Sequence, residues 1–269
     1  MNELHAVSER IQREVLVSMF DACPSDAREA LGLRLDSIAD VVVSSAEHEP
    51  SILLNRAQGL GSHEPVTPQT IEAVVDRYRR YGTRRFFFHV HPGVLPADGE
   101  QWLIDAGLIK ARGWMQFLRS ATSPPAARTD LTVKRVGRDH ADAFAAIVCD
   151  AFDLAAPSQP YIAAITEDER WHCYMSFDGD TPAGTGAVLT LDNAAYLTFG
   201  ATAPAFRRRG SQGALMAARI QAAIDHGCEH IFTETGEAVE GEEQVSYRNI
   251  ERCGFAPQFL CENWTVKPT

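Results

Sequence analysis

The 269-residue chain has no surplus of basic charge, no paired cysteines and no long apolar run. A net charge of −11 excludes a general nucleic-acid binder, whose phosphate contacts need a basic face. Cys23, Cys149, Cys173, Cys228, Cys253 and Cys261 form no C-x-x-C pair and no metal-ligand spacing, so neither a disulfide framework nor a zinc site is expected. Most sit beside apolar neighbours, as in Ile147-Val148-Cys149, and read as buried free thiols of a reducing, cytoplasmic protein. No apolar stretch approaches the roughly 18 residues of a membrane span, so no membrane partner is expected. Met1-Asn2-Glu3-Leu4-His5 lacks the basic-then-apolar order of a signal peptide.

What is present is the composition of a folded protein, 45% hydrophobic and 23% charged, long enough for one large domain or two ordinary ones. Ser120-Ala121-Thr122-Ser123-Pro124-Pro125-Ala126-Ala127 is small, Pro-rich and without apolar periodicity, and reads as a linker between domains at 1–122 and 128–269.

The second half alternates elements. Strands are expected at 131–136, 171–177, 184–191, 196–203, 230–234 and 258–266. Helices are expected from Asp139 or His140 through Phe152, at 161–166, after Gly210 as far as Gly227, and at 244–252. The first half echoes that order, with a helix at 9–20, strands at 39–45 and 51–58, a helix from Thr67-Pro68 to about Tyr81, a strand at 85–90, a helix at 99–106 and a strand at 114–118. Ala106-Gly107-Leu108 parallels Cys253-Gly254-Phe255, and the pattern is an α/β (α+β) chain with a degenerate internal duplication.

The most informative stretch is Arg207-Arg208-Arg209-Gly210-Ser211-Gln212-Gly213-Ala214, the only run of three basic residues, set in the more acidic half. A strand ending in a basic, Gly-containing turn that enters a helix holds phosphate: backbone N–H groups converge, the helix start adds partial positive charge, and arginines add forked donors. A solvated arginine turn is the plainer alternative. A nucleoside-triphosphate site would need a lysine–hydroxyl pair after the glycine and a Mg²⁺ arrangement, and neither is evident.

Three pieces lie at consistent distances: the strand ending Thr202-Ala203-Pro204 with its turn Arg207-x-x-Gly210-x-Gln212-Gly213-Ala214, the following helix and strand through His230-Ile231-Phe232-Thr233-Glu234, and Ser246-Tyr247-Arg248-Asn249-Ile250-Glu251-Arg252-Cys253-Gly254-Phe255. Together they resemble the GNAT superfamily of acyl-CoA-dependent N-acyltransferases. The resemblance implies two GNAT-like domains, each a mixed, mostly antiparallel sheet flanked by helices. It implies a coenzyme A site in the second: the backbone of Ala201, Thr202 and Ala203 along the pantetheine arm, N–H groups and side chains of Arg207, Arg208, Arg209, Gly210, Ser211, Gln212, Gly213 and Ala214 around the pyrophosphate, and Ser246 and Asn249 toward the arm. Acetyl-CoA would be the acyl donor, with no metal. The family's second turn glycine is Gln212 here, and its general-acid tyrosine position holds Ile250.

Amide formation needs a base for the attacking amine and an acid for the departing thiolate. Glu234, at a strand end, is the base candidate, with a solvated carboxylate as its alternative. Tyr247, about one turn before Ile250, is the acid candidate, with helix-face packing as its alternative. Glu237, Glu240, Glu242 and Glu243 form an acidic rim for a cationic amine or a solvated loop. His89 and His91 share a strand face but have no third ligand nearby, so neutral strand-end histidines are expected rather than a metal pair. The expected function is N-acetyl transfer to a primary amine of a small molecule or peptide; the alternative is a non-catalytic acyl-CoA-binding regulatory module. A homodimer is compatible with the sequence, which does not decide it.

Overall fold

A computed structural model describes residues 3–267; Met1-Asn2 of the amino-terminal expectation lie outside it. Along the chain run α1 (Glu3–Ala22), α2 (Ser25–Leu31), β1 (Leu33–Ile38), β2 (Val41–Ala46), β3 (Arg56–Gln58), α3 (Pro68–Arg80), β4 (Phe87–Val90), α4 (Gly99–Asp105) and β5 (Leu108–Ser120). Then follow β6 (Thr132–Val136), α5 (Ala141–Phe152), α6 (Gln159–Ala163), β7 (Trp171–Asp178), β8 (Thr181–Leu191), β9 (Ala194–Thr202), α7 (Ser211–Asp225), β10 (His230–Gly236), α8 (Val245–Arg252) and β11 (Ala256–Val266). Two compact units result. Of the described residues, unit 1 comprises those up to Asp21, Ser25–Trp114 and those from Phe259; unit 2 comprises Ala22–Pro24 and Met115–Gln258.

In unit 1, β1, β2 and β3 pair antiparallel, β3 and β4 parallel, and β4 and β11 antiparallel. The crossover between the parallel strands is α3. Thr67 caps it by accepting a hydrogen bond from the Thr70 N–H, Pro68 opens it, and Ile71, Val74, Val75 and Tyr78 bury one face. Those four pack with Phe88, Val90 and Trp264 into the unit's core.

Unit 2 has β6, β7, β8 and β9 antiparallel in sequence, then β10 parallel to β9, with β5 beyond it. Helix α7 crosses between the parallel strands and buries Met216, Ile220 and Ala223 against Leu197, Ile231 and Phe117. Each of these side chains other than Ala223 contributes about 1.5–3 kcal/mol by leaving water. Along the chain the order parallel pair, crossover helix, second helix, strand occurs twice, as β3–α3–β4–α4–β5 and as β9–α7–β10–α8–β11. All six cysteines are free and buried. Among the described residues no helix is long and apolar enough to cross a membrane.

Some local expectations differ. Of the strand expected at 51–58, only Arg56–Gln58 pairs. The Leu54 and Asn55 N–H groups turn back to the Ser51 carbonyl, and the Asn55 carboxamide bonds Glu49 O and Ser51 O, so side-chain bonding outcompetes the ladder. Helix α2 and strand β1 were not foreseen; Gly32, at φ +58°, separates them. The helix expected at 161–166 begins at Gln159 and tightens into a 3₁₀ turn at Ala164–Glu167.

Candidate acyl-CoA site

The site begins with a bulge. Thr185 pairs with Ala201 and Ala187 with Thr198, so Gly186 alone faces both Phe199 and Gly200. Phe199 takes φ +52°, a left-handed conformation rare for an aromatic residue. Beyond the bulge β9 leaves β10: their parallel register ends at Leu197–Thr233, although β9 runs on to Thr202 and β10 to Gly236. The two strands separate here, with Ala201, Thr202 and Ala203 on the β9 side. Ala203 donates its N–H to Ala183 O over 2.9 Å, back toward β8.

Arg219 from α7 is buried against this bulge, 2% exposed. Its Nη1 donates to Thr198 O (3.0 Å) and its Nε to Leu215 O (3.1 Å). A Cβ at Gly186 would lie 2.6 Å from Arg219 Nε and one at Gly200 3.4 Å from Nη2, so both glycines make room for the guanidinium. Burial lowers its pKa to about 10, which leaves it charged at neutral pH. Sequence reasoning missed Arg219; an arginine amid the apolar residues of a helix expected to pack was the available signal.

The turn then reverses the chain. Arg208 (φ +66°) and Gly210 (φ +82°) are both left-handed, and a Cβ at Gly210 would overlap the Arg128 carbonyl. Thr129 Oγ1 donates to Arg209 O (2.7 Å). The three arginines diverge. Arg209 is held by Asp130 and Asp178, and its hydrogen bonds keep both carboxyls below their usual range. Arg207 and Arg208 are exposed and make no ion pair among the described residues.

Gly210 is the N-cap of α7 and offers no side-chain acceptor, so the first helical N–H groups are not capped. Ser211 points inward to Ser176 Oγ at 2.7 Å, and the space above Gly213 is open. Gln212 Oε1 accepts from Asn249 Nδ2 at 2.7 Å, which brings two expected site residues together. The Ala214 N–H is spent on Gly210 O within the helix. Ser246 is exposed in the first turn of α8; the N-cap there is Gln244. The equivalent helix of unit 1 starts with Thr67 as cap and Pro68 without an N–H, so its donors are closed off.

Glu234 is half-buried near the end of β10 and accepts a hydrogen bond from Gln116 Nε2 at 2.7 Å. Tyr247 packs edge-on against Phe117, with ring centroids 4.8 Å apart. Gln116 and Phe117 are consecutive on β5, so they point to opposite sheet faces and carry Glu234 and Tyr247 with them. Burial, then the charge of Glu251, raises the Tyr247 pKa, which keeps its proton in place at neutral pH. Ile250 is buried in the core, 4% exposed. Glu237, Glu240, Glu242 and Glu243 lie in the loop between β10 and α8. His89 and His91 are buried in unit 1, and among the described residues no group of three or more His, Cys, Asp or Glu could hold a metal.

Residues 141–255 match the model of the acetyltransferase (GNAT) family. Members of that family are acyl-CoA-dependent acetyltransferases. The GCN5-related N-acetyltransferase from Kribbella flavida aligns over 98% of this chain and 96% of its own, with 17% identity and a TM-score of 0.66. A tandem GNAT protein from the clavulanic acid biosynthesis pathway aligns over 85% and 79%, with 13% identity and a TM-score of 0.59. The GCN5-related N-acetyltransferase from Sphaerobacter thermophilus aligns over 85% and 80%, with 12% identity and a TM-score of 0.60. At these identities the likeness is one of fold, and the fold is that of tandem GNAT proteins. No curated protein matches the sequence.

Proposed function

We propose that unit 2 transfers the acetyl group of acetyl-CoA to a primary amine of a small molecule or peptide. The observation that carries this reading is the coincidence of two features: a parallel pair that separates beyond Leu197–Thr233, and an uncapped α7 start at the open end of β9. The N–H groups of Gly210, Ser211, Gln212 and Gly213 donate to the pyrophosphate, and Arg207 and Arg208 supply full charges. The free edge of β9 at Ala201–Ala203 pairs with the amide-bearing arm. Asn249 completes the contact from α8, with Ser246 beside it.

Because β9 and β10 have parted, groups on opposite faces reach one opening. Glu234, oriented by Gln116, takes a proton from the acceptor's ammonium through water, and the neutral amine so formed attacks the thioester carbonyl. Tyr247, still protonated at neutral pH, gives its proton to the departing thiolate. The acidic loop at 237–243 draws a cationic acceptor inward. One observation favours a second reading, a non-catalytic acyl-CoA-binding module: Ile250, not a tyrosine, occupies the family's acid position and is buried in the core.

Free-thiol release from acetyl-CoA over a panel of primary amines separates the two. Transfer predicts amine-dependent release that Glu234→Gln reduces while calorimetric acetyl-CoA binding persists. Tight binding without release on any amine establishes the module. Failure of Gly210→Asp, which sets a carboxylate against the diphosphate, to weaken binding would overturn the site itself.

A further inference from the structure

Three successive carbonyls of β9 at the bulge each accept a hydrogen bond from a side chain. Thr233 Oγ1 donates to Leu197 O, Arg219 Nη1 to Thr198 O and Thr185 Oγ1 to Phe199 O, each at 3.0 Å. The first of these bonds falls at Leu197–Thr233, the last pair before β9 and β10 part. The strand is thus pinned from β10, α7 and β8 at the point where the opening begins.

Of the three donors only Arg219 is charged, and nothing neutralises it. Its hydrogen-bond partners are Leu215 O, Thr198 O and Met216 Sδ, and no carboxylate pairs with it among the described residues. The titratable group that faces it is the Cys253 thiol just after α8, which burial keeps protonated. Burying a charge without a counter-charge is costly, so this one calls for a use. Its place indicates which. Gly200 is exposed where β9 has parted from β10, and a Cβ there would lie 3.4 and 3.7 Å from the two terminal nitrogens of Arg219. The guanidinium therefore lies against bare backbone at the strand edge that β10 leaves open. On the acetyl-CoA reading of unit 2, the pyrophosphate sits at the start of α7 and the arm runs back along Ala203–Ala201. Its sulfur then arrives beside Gly200 and Thr198.

We propose that Arg219 is a positioning residue for acyl transfer, its buried charge acting through the Thr198–Gly200 backbone to stabilise the coenzyme A sulfur as a thiolate. The proposal rests on the acetyl-CoA reading above. As the amine nitrogen bonds to the thioester carbon and the C–S bond breaks, the bonding pair goes to sulfur. Arg219 favours that negative charge until Tyr247 delivers its proton. Because the three carbonyls are already pinned, the charge acts without reorganisation, and the low dielectric around it strengthens its reach.

The thiol of bound coenzyme A reports this charge with no acceptor amine present. Thiolate absorbance is titrated with pH as the difference between complexes of the full chain with coenzyme A and with desulfo-coenzyme A, which cancels the six buried cysteines. The bound thiol should ionise at lower pH than that of free coenzyme A. Arg219→Met, of similar length and uncharged, should raise its titration by about one pH unit, a tenfold change in ionisation. Acetyl-CoA, whose sulfur carries no charge, should bind that variant nearly as before, and Arg219→Lys should recover most of the shift. Should Arg219→Met fail to fold, Arg219→Gln, which keeps N–H donors for the carbonyls, carries the same expectation. A bound thiol that titrates like free coenzyme A, or one unmoved by a folded charge-removing variant, would overturn the role of Arg219 and leave the coenzyme A site standing. Weakening of both ligands with an unmoved titration would make Arg219 purely structural. No binding of coenzyme A by the unmodified chain would overturn the site, and this proposal with it.

Discussion

Asn249 Nδ2 donates to Gln212 Oε1 over 2.7 Å, tying α8 to the first turn of α7. Gln212 stands where the family resemblance calls for glycine, yet it is not among the positive-φ residues, so its backbone needs no glycine. The bond draws its side chain toward α8. Gln212→Ala should therefore leave acetyl-CoA affinity nearly unchanged and cost about 1 kcal/mol of stability. Asn249→Ala should cost the same stability and also weaken acetyl-CoA about fivefold, through loss of the polar contact proposed for it above. Calorimetry and thermal melts on both variants check this; equal affinities would remove Asn249 from the ligand site.

The three arginines should separate by experiment as they do in space. Arg207→Ala or Arg208→Ala should weaken acetyl-CoA roughly tenfold and flatten the salt dependence of binding, with little change in melting temperature. Arg209→Ala should act the other way round, lowering the melting temperature by releasing Asp130 and Asp178 from the turn. If Arg209→Ala alone abolished binding at unchanged stability, the division of roles would be reversed.

Gly186→Ala probes the bulge. The added methyl would meet Arg219 Nε in a buried sheet, with backbone on both sides. The expected cost is about 1–3 kcal/mol, together with weaker acetyl-CoA binding as β9 shifts toward β10. A second variant, Gly200→Ala, meets Arg219 at a looser 3.4 Å and should be milder on both measures.

Much of the fold was legible because its signals are local. Thr67-Pro68 and the spacing of Ile71, Val74, Val75 and Tyr78 announce α3, and the arginine turn with Gly210 announces the start of α7. The strand overextended at 51–58 failed because Asn55 satisfies two carbonyls from its side chain, which periodicity does not reveal. Within the candidate site, Gly210, Gln212 and Asn249 could be read from the family pattern. Gln116 could not, because it lies 118 residues before Glu234 and meets it only through strand order. Arg219 was hidden likewise: its role depends on two glycines that the bulge brings beneath it.

Gln116 fixes one oxygen of Glu234, so it should act on catalysis through that carboxylate. Gln116→Leu should lower kcat about tenfold, leave acetyl-CoA affinity intact and change the pH–rate profile on its acid limb. Gln116→Glu, which places a second carboxylate beside the first, should shift that limb to higher pH. A Gln116→Leu enzyme with an unaltered profile would make the hydrogen bond purely structural.

His91 gives the chain a stability that fades in acid. Burial, reinforced by the nearby His5, lowers its pKa from the usual 6.5 to about 4, and burial lowers that of His89 as well. The folded chain therefore resists protonation that the unfolded chain accepts. The sign follows: stability is full above pH 6.5 and is lost as pH falls toward 4, with His91 alone accounting for roughly 3 kcal/mol of that loss. Urea midpoints measured across this window should fall steadily with pH. His91→Phe keeps the ring against Phe259, whose centroid lies 5.3 Å from that of His91, and removes the titration, so its midpoints should fall less steeply. An unchanged slope in that variant would show that His91 is hydrated in solution and does not limit acid stability.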